Sequence, residues 1–582
     1  MRLFTLIFVA IAIATCTSDH KSSLPIAENS DLTLWREVKA TLALHEVDTF
    51  RLNLPASTFV SGQANQLTVD VAITILGPDK KQVASFDEPA RGPEKFQFIT
   101  QKEGIYRIVV APFKEFTGDY IMQLKMAEPL ATDPAKRIDQ VVTSIIDEDG
   151  PGATVAVARD GKIIYSKGFG HAELEYDVHN TPQTIFHIAS VSKQFTAFSI
   201  AMLADQGKLS VDDNIRKYLP EIHNFGTPIT IRQLIYHTSG LRDQWNLLVM
   251  AGWRMDDVIT KNQIMRVISR QRELNFKPGD QYSYCNTGYT LLAEIVSRVS
   301  GKSFPEWTKE NIFVPLGMNN TLFYDDHERI VPNRAYSYYN DVNGYKKSVL
   351  NYANVGATSL FTTVEDLSKW AMNFENVKVG NANVMAMIEQ RSILNSGDTT
   401  RYAFGQVIEE YKGLKTVSHG GGDAGYRTFL LRFPDQKFSV SVFSNLASFN
   451  PHQLSYTIAD VYLADSFKVD TTKKEPPPPP AEEAKPAFDP SKVKLSDYTG
   501  RFYSAELETF YEFELKNDTL VAHHPRHDDF KLTPVRQDGF EAGAWWMGNL
   551  EFTRDASRKV TGMKASNGRV MNLIFVKEKA TR

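Results

Sequence analysis

The chain has 582 residues, of which 42% are hydrophobic and 23% charged, with a formal net charge of −4 at pH 7. At ~150 residues per domain this length predicts roughly three or four domains. The slightly acidic balance and the dispersed Lys and Arg residues point away from nucleic acid as a partner.

The first residues read as a targeting signal. Arg2 supplies positive charge, and Leu3 to Ala14 is an apolar run. That run is too short to span a ~30 Å hydrocarbon core as a helix, which favours a cleavable signal peptide over a membrane anchor. No later segment has the length of a membrane span. Ile13-Ala14-Thr15-Cys16 resembles a bacterial lipobox, with Cys16 as the lipidated residue, although Thr15 stands where Gly or Ala is usual. Ala12-Ile13-Ala14 also satisfies the small-residue cleavage pattern. A lipid anchor through Cys16 and simple secretion both remain open. Either way the expectation is export: to a bacterial periplasm, as an outer-membrane lipoprotein, or to the extracellular space. Cys16 and Cys285 are the two cysteines. If Cys16 is removed or acylated, no internal disulfide forms, and stability must come from packed cores.

Residues 32–127 read as a β-sandwich domain. Leu67, Val69, Val71, Ile73 and Ile75 alternate with other residues at the period of a half-buried strand. Gly77-Pro78-Asp79 marks a turn, and Ile105 to Val110 and Tyr120 to Leu124 are further strand candidates. The pattern resembles the pre-peptidase C-terminal type of β domain found beside secreted hydrolases, and it carries no catalytic motif.

The texture over residues 131–467 is mixed helix and strand. Thr154 to Ala158 and Lys162 to Tyr165, split by Asp160-Gly161, predict a hairpin. After Ser190 the spacing of Phe195, Phe198, Ile200, Met202 and Leu203 predicts a helix, ended by Gly207. Residues 470–491 form a linker around five consecutive prolines, Pro476 to Pro480, which favour an extended polyproline conformation. From 492 to 582 short strands return. This tail resembles the lipocalin-like β-barrel domain appended to some serine hydrolases. Its His523, His524, His527, Asp528 and Asp529 read as a solvated turn, with no second motif to support a metal site.

Three motifs carry chemistry. In Ser190-Val191-Ser192-Lys193, a helix brings Ser190 and Lys193 to one face. A serine hydroxyl needs a base to become a nucleophile, and a lysine serves only if its surroundings lower its pKa. A helix start also offers backbone N–H groups to an oxyanion. Alone the tetrapeptide says little, since Ser18 to Lys21 and Ser491 to Lys494 repeat it. Only Ser190 sits in an apolar frame, Phe186-His187-Ile188-Ala189 before it and Gln194-Phe195-Thr196-Ala197 after it. The second motif is Tyr284-Cys285-Asn286. A tyrosine beside a lysine can share its proton, and an asparagine can both donate to and accept from an amide. The third is His419-Gly420-Gly421-Gly422, whose glycines allow close approach to the backbone and whose N–H groups suit an oxyanion hole. His237, in Tyr-His-Thr-Ser-Gly-Leu, reads as a structural loop histidine.

Together, in this order, the three motifs resemble those of the serine β-lactamase and penicillin-binding-protein superfamily, in its class C, esterase and D-aminopeptidase branch. Leu234 to Leu241 and Thr362 to Leu367 before Trp370 match further, so the resemblance spans residues 131–467. It implies a central α/β domain, an antiparallel sheet flanked by helices, between an N-terminal β-sandwich and a C-terminal small β-barrel. It implies Ser190 as acylated nucleophile, Lys193 as its base and Tyr284 as proton relay. Asn286, His419, Gly421 and Gly422 match substrate-binding positions, with the N–H groups of Ser190 and Gly422 at the oxyanion hole. The function implied is two-step hydrolysis of an ester or amide, D-amino-acid peptides or small esters, with no metal or cofactor. The alternatives are a non-catalytic peptidoglycan or ligand sensor and a true β-lactamase. The partner is a small ester, amide or peptide substrate; no oligomeric state is implied. Two departures stand out. Cys285 replaces a serine, and alternation turns it away from its neighbours, which makes it a packing residue. His419 replaces a lysine, which predicts a site titrating near ~6.5. The motif placement further predicts that residues 131–467 hold the whole catalytic centre.

Overall fold

A computed structural model of the protein describes residues 27–28, 31–87, 92–114, 116–341, 343–468 and 488–579. The candidate signal segment, Cys16, the tetrapeptide at Ser18 to Lys21 and the five prolines lie outside the described residues. The chain divides into two compact units, one of residues 1–150 with 340–345, the other of residues 151–339 with 346–582.

In the first unit, the strands Asp48–Leu54, Gly104–Pro112, Val71–Leu76 and Gln82–Phe86 are neighbours in one sheet. Glu37–Leu42, Gly118–Pro129, Thr58–Gln66 and Gly92–Ile99 make the other. Val71, Ile73 and Ile75 alternate into a shared core with Phe50, Val60, Phe96, Tyr106, Ile108 and Met122. Leu67 departs from the expected pattern. It lies before the strand and is 53% exposed, because the chain enters the sheet only at Val71. The helix Pro134–Ile145 also belongs here, capped by Asp133. Its Ser144 donates to Gln97 (2.7 Å) and its Gln140 to Glu128 (2.6 Å), so this unit runs past residue 131 to Gly150.

The second unit is built on a six-stranded antiparallel sheet. Its order is Lys162–Phe169, Ala153–Arg159, Phe438–Ser444, Tyr426–Phe433, Leu414–Asp423, Val407–Tyr411. The first two strands form the predicted hairpin, and Asp160 and Gly161 both take positive φ (50° and 73°), the geometry of a type I′ turn. Helices Val364–Asn373 and Pro451–Leu463 pack on this sheet. A helical region contains Ser192–Asp205, Gln244–Met250, Lys261–Ser269 and Asn286–Ser300.

The helix Ser192–Asp205 decides where the site lies. Its first ten residues are all buried, with no polar face, which marks a helix enclosed on every side. Phe195 stacks near Trp370 (4.3 Å between centroids), and the Trp370 indole donates to Gln194 (2.9 Å). Gly207 follows its end at φ 69°. A core helix of this kind holds its first turn fixed against the sheet.

The same unit contains the tail domain, a closed barrel of eight strands from Gly500–Ser504 to Val570–Lys577. Phe502, Tyr511, Phe513, Leu520, Phe540, Phe552, Leu573 and Phe575 fill it. The histidine cluster straddles an exposed turn at Pro525-Arg526, with Asp528 and Asp529 also exposed, but two of its rings are not solvated. His524 is buried and bonded to the Thr509 hydroxyl (2.8 Å), and His527 Nε2 donates to the Val249 carbonyl (2.7 Å), so strand edges and a docked helix absorb these rings.

Candidate active site

Ser190 stands in a single turn, Ala189–Val191, that feeds the buried helix. Ala189 takes a left-handed φ of 48°, a conformation that costs a non-glycine residue about 1–2 kcal/mol. The turn is held there from several directions. Ile188 N–H donates to Leu360 O (2.9 Å), Thr428 donates its hydroxyl to Ile188 O (2.9 Å), and Leu360 N–H donates to Ser192 Oγ (3.1 Å). The result is a half-buried Ser190 directly beside a fully buried Lys193.

Lys193 Nζ lies 3.0 Å from Ser190 Oγ, 2.9 Å from Asn286 Oδ1 and 2.6 Å from Ala357 O. Burial pushes the amine down to about 7; the Asp243 carboxylate opposes that shift and the Arg569 guanidinium adds to it. A neutral amine has two N–H donors and one lone pair. Ala357 O and Asn286 Oδ1 can only accept, so they take the two N–H groups. The lone pair is then left for the Ser190 hydroxyl, which is the arrangement a general base requires.

Which atoms remain for Ser190 turns on the end of the Asn286 amide that faces Lys193. Asp243 settles it. Its Oδ2 accepts from Asn286 N–H (2.7 Å) and Asn286 Nδ2 (2.9 Å), and a carboxylate has no proton to give back. Asn286 therefore points Oδ1 at the lysine. Its amide is occupied on both sides, so Asn286 acts first as a link between Asp243 and Lys193; one Nδ2 hydrogen remains for a substrate. Asp243 is fully buried, caps the helix Gln244–Met250 by accepting from Trp245 N–H (3.0 Å), and was missed in the sequence reading. An Asp directly before a helical run was the available signal.

Tyr284 sits in the loop leading to the helix Asn286–Ser300. Its ring centroid is 4.9 Å from Lys193 Nζ and 5.3 Å from Arg569 Cζ, both within cation–π range. Burial pushes the phenol well above its usual value, against the pull of its hydrogen bond with Ser190. Tyr284 is thus a neutral phenol and Lys193 the more easily deprotonated of the pair. Cys285 faces the other way, its thiol donating to Leu241 O (3.3 Å), and burial pushes it up to about 12. His237, at φ 58°, accepts from Cys285 N–H (3.1 Å) and stacks on Tyr284 (4.2 Å), a positioning contact rather than a reactive one.

The third motif lies on the strand Leu414–Asp423. Its neighbour Val407–Tyr411 pairs only as far as Ser418, which leaves the following edge without a strand partner among the described residues. The glycines differ in their reason for being glycine. A Cβ on Gly421 would meet Ile188 O at 2.3 Å and Thr428 Oγ1 at 2.4 Å, so the strand can pass the Ser190 turn only without a side chain. A Cβ on Gly422 would meet nothing closer than 3.7 Å. Gly421→Ala should therefore displace the Ile188–Ala189 backbone, lowering small-ester turnover by about 10²-fold, the scale of a 1 Å misplacement, and stability by about 1–3 kcal/mol. Turnover and thermal melting of the variant check this; wild-type turnover would mean the strand yields without moving Ser190.

His419 corrects the titration expected from its sequence position. Its Nδ1 donates to Gly420 O (2.7 Å), so its Nε2 accepts from the Tyr402 hydroxyl (3.1 Å). Burial first, and then the charge of Lys193, push it down to about 3. The imidazole is neutral throughout the physiological range, and no KM change between pH 6 and 8 arises from it.

Every site residue expected from the sequence lies within residues 131–467, and one element from outside that range comes up against them. The barrel hairpin between Val560–Asn567 and Val570–Lys577 reaches the site: Asp243 N–H donates to Arg569 O (3.2 Å), and Arg569 Nη1 is 4.0 Å from Asp243 Oδ2. The other serine–lysine tetrapeptide, Ser491 to Lys494, lies in a turn at the foot of the barrel, with Lys494 78% exposed and 3.4 Å from Asp497. It has none of the enclosure that lowers Lys193.

Comparison with known proteins agrees with this geometry. A family model described as Beta-lactamase matches residues 135–463, more than half of the chain. Penicillin-binding protein 4* of Bacillus subtilis (strain 168) is 31% identical over 310 residues, which cover 50% of this chain and 67% of that protein. The D-aminopeptidase of Gluconobacter oxydans (strain 621H) is 28% identical over 297 residues, 51% of this chain and 56% of the relative. The chain thus spans between about half and two thirds of the length of these curated relatives. An octameric penicillin-binding protein homologue from Pyrococcus abyssi shares the fold, with a TM-score of 0.51 at 23% identity over 76% of this chain and 99% of that one. With the matched segment carrying the enclosed Ser190–Lys193 pair, the chain belongs to the beta-lactamase family of serine hydrolases.

Proposed function

We propose that the protein cleaves amide or ester bonds of small substrates, D-aminoacyl amides and D-amino-acid peptides among them, through an acyl-Ser190 intermediate. The observation that carries this is the Lys193 amine, lowered to about 7 and held 3.0 Å from Ser190 Oγ with its two N–H groups already committed. In the acylation step, Ser190 Oγ bonds to the substrate carbonyl carbon and its proton passes to Lys193 Nζ. The oxyanion that forms is held by the N–H groups of Ser190 and Gly422. Collapse breaks the bond to the leaving amine or alcohol, which takes a proton from Lys193 directly or through Tyr284. Water then repeats the sequence on the acyl group and frees the acid. Two relatives named for penicillin binding and D-aminopeptidase activity support an amide-type substrate. We further propose that the protein acts after export, by secretion or as a lipoprotein anchored through Cys16; the apolar Leu3–Ala14 run supports this.

The test is a panel of p-nitrophenyl acetate, D-aminoacyl amides, D-Ala-D-Ala peptides and nitrocefin, with intact-mass trapping of the adduct. The expected result is turnover of the esters or D-amides with the acyl mass on the Ser190 peptide. Turnover without an adduct on Ser190, or an adduct elsewhere, would sink the reading. Weak or absent nitrocefin turnover is expected, since neutral His419 supplies no cation at the third motif.

A further inference from the structure

The barrel does more than lean on the hydrolase domain. Its hairpin turn, Gly568-Arg569, is clamped through backbone groups. Asn275 Nδ2 donates to Arg569 O (3.0 Å), Met571 N–H donates to Asn275 Oδ1 (2.8 Å), and the buried Arg242 donates to Met571 O (2.8 Å) and Glu506 (2.9 Å). Asn567 Oδ1 closes the turn from inside by accepting from Arg569 N–H and Val570 N–H, both at 3.0 Å. None of these bonds uses the Arg569 side chain. They fix where that side chain starts.

The guanidinium then stands over the Tyr284 ring at 5.3 Å, remains 34% exposed, and donates no hydrogen bond among the described residues. Asp243, 4.0 Å away, is an ion-pair partner but is too far to accept from it, and that carboxylate already accepts from Asn286 and Trp245. A planar fork with its donors unspent, beside the phenol that borders the nucleophile, is the geometry of a carboxylate receptor. The need for one is visible at the third motif, where the His419 ring is bonded to Tyr402 and Gly420 and carries no charge.

We propose that Arg569, supplied by the C-terminal barrel, is a specificity-determining residue that holds the free carboxylate of the substrate, and that the substrate class is therefore carboxylate-bearing amides or peptides. This rests on the reading that Ser190 is the acylated residue. The barrel hairpin and the lysine–serine pair then form one composite site. The charge sits on a part of the chain that residues 131–467 do not contain.

The experiment uses the full chain and measures how well N-acetyl-D-alanine and its uncharged counterpart N-acetyl-D-alaninamide protect Ser190 from a fluorophosphonate. The readout is the ratio of the two inhibition constants within each variant, which cancels any general effect on labelling. In the wild type the carboxylate should bind at least about tenfold more tightly than the amide, equivalent to about 1.4 kcal/mol. In Arg569→Gln that ratio should fall to about one, and Arg569→Lys should recover part of it. A ratio near one in the wild type, or an unchanged ratio in Arg569→Gln, would overturn the proposal. The wild-type ratio stands as a test even if Arg569→Gln melts too low to assay. Failure of the wild type to be labelled at Ser190 at all would count against the acyl-serine reading instead.

Discussion

Ser190→Ala should abolish covalent labelling by a fluorophosphonate and lower kcat for a small ester by roughly 10³-fold or more, the scale on which loss of a hydrolase nucleophile acts. The protein should remain folded. Ser190 is half-buried, and the bonds that hold its turn run through Ile188, Ser192, Thr428 and Leu360 rather than through its hydroxyl. The rival nucleophile is Cys285, which stands between Tyr284 and Asn286 but faces away from them: its thiol is pushed up to about 12 and donates to Leu241 O inside the core. Its thiolate fraction at neutral pH is negligible, so Cys285→Ala should leave the label in place. Peptide mapping that found the label on Cys285, or persisting on Ser190→Ala, would remove Ser190 from the reaction.

The parts of this site that the sequence disclosed are those set by local spacing. A helix turn brings Ser190 and Lys193 together wherever that helix sits, and an extended segment turns Tyr284 and Asn286 one way and Cys285 the other. Distant pairings were not legible. Asp243 reaches Asn286 across 43 residues and Arg569 reaches Tyr284 from a different domain, and no periodicity encodes either contact. Chemistry that depends on enclosure was equally hidden. A histidine in place of a lysine suggests titration near neutrality, yet His419 is 6% exposed and pays for desolvation by staying neutral. Gly421 and Gly422 look alike in sequence, and only the passing backbone of Ile188 separates a glycine that is required from one that is not. At the scale of the fold the same division holds. The strand rhythm around Val71 to Ile75 and the Asp160-Gly161 turn were readable, whereas the docking of the barrel through Arg242 depends on a buried cation finding Glu506 from 264 residues away.

Lys193 should give the clearest pH signature. As the base it must be neutral to take the Ser190 proton, so kcat/KM for an uncharged ester should rise with pH, bend near about 7 and stay level above it. Lys193→Met should lower kcat by roughly 10³-fold or more and abolish the part of that limb that reports the base; the Asp423 carboxyl, which burial also pushes up to about 7, accepts from Thr358 (2.7 Å) rather than from Ser190 and titrates in wild type and variant alike. Stability should respond to the same titration in a higher window. The folded state lowers this lysine from 10.5 to about 7, so between those values the unfolded chain binds a proton that the folded chain does not. Wild-type stability therefore gains with rising pH across that window, and the gain is absent below about 7, where both states are protonated. A methionine at the same place carries no proton in either state. The melting temperature of Lys193→Met relative to wild type should accordingly be higher at pH 6 than at pH 10, whatever the variant loses from its bonds to Asn286 and Ala357, since those losses do not depend on the titration of this amine. A Tm difference that is flat across that range, together with a kcat/KM limb that survives in the variant, would mean that Lys193 stays charged beside Ser190 and that the proton leaves by another route.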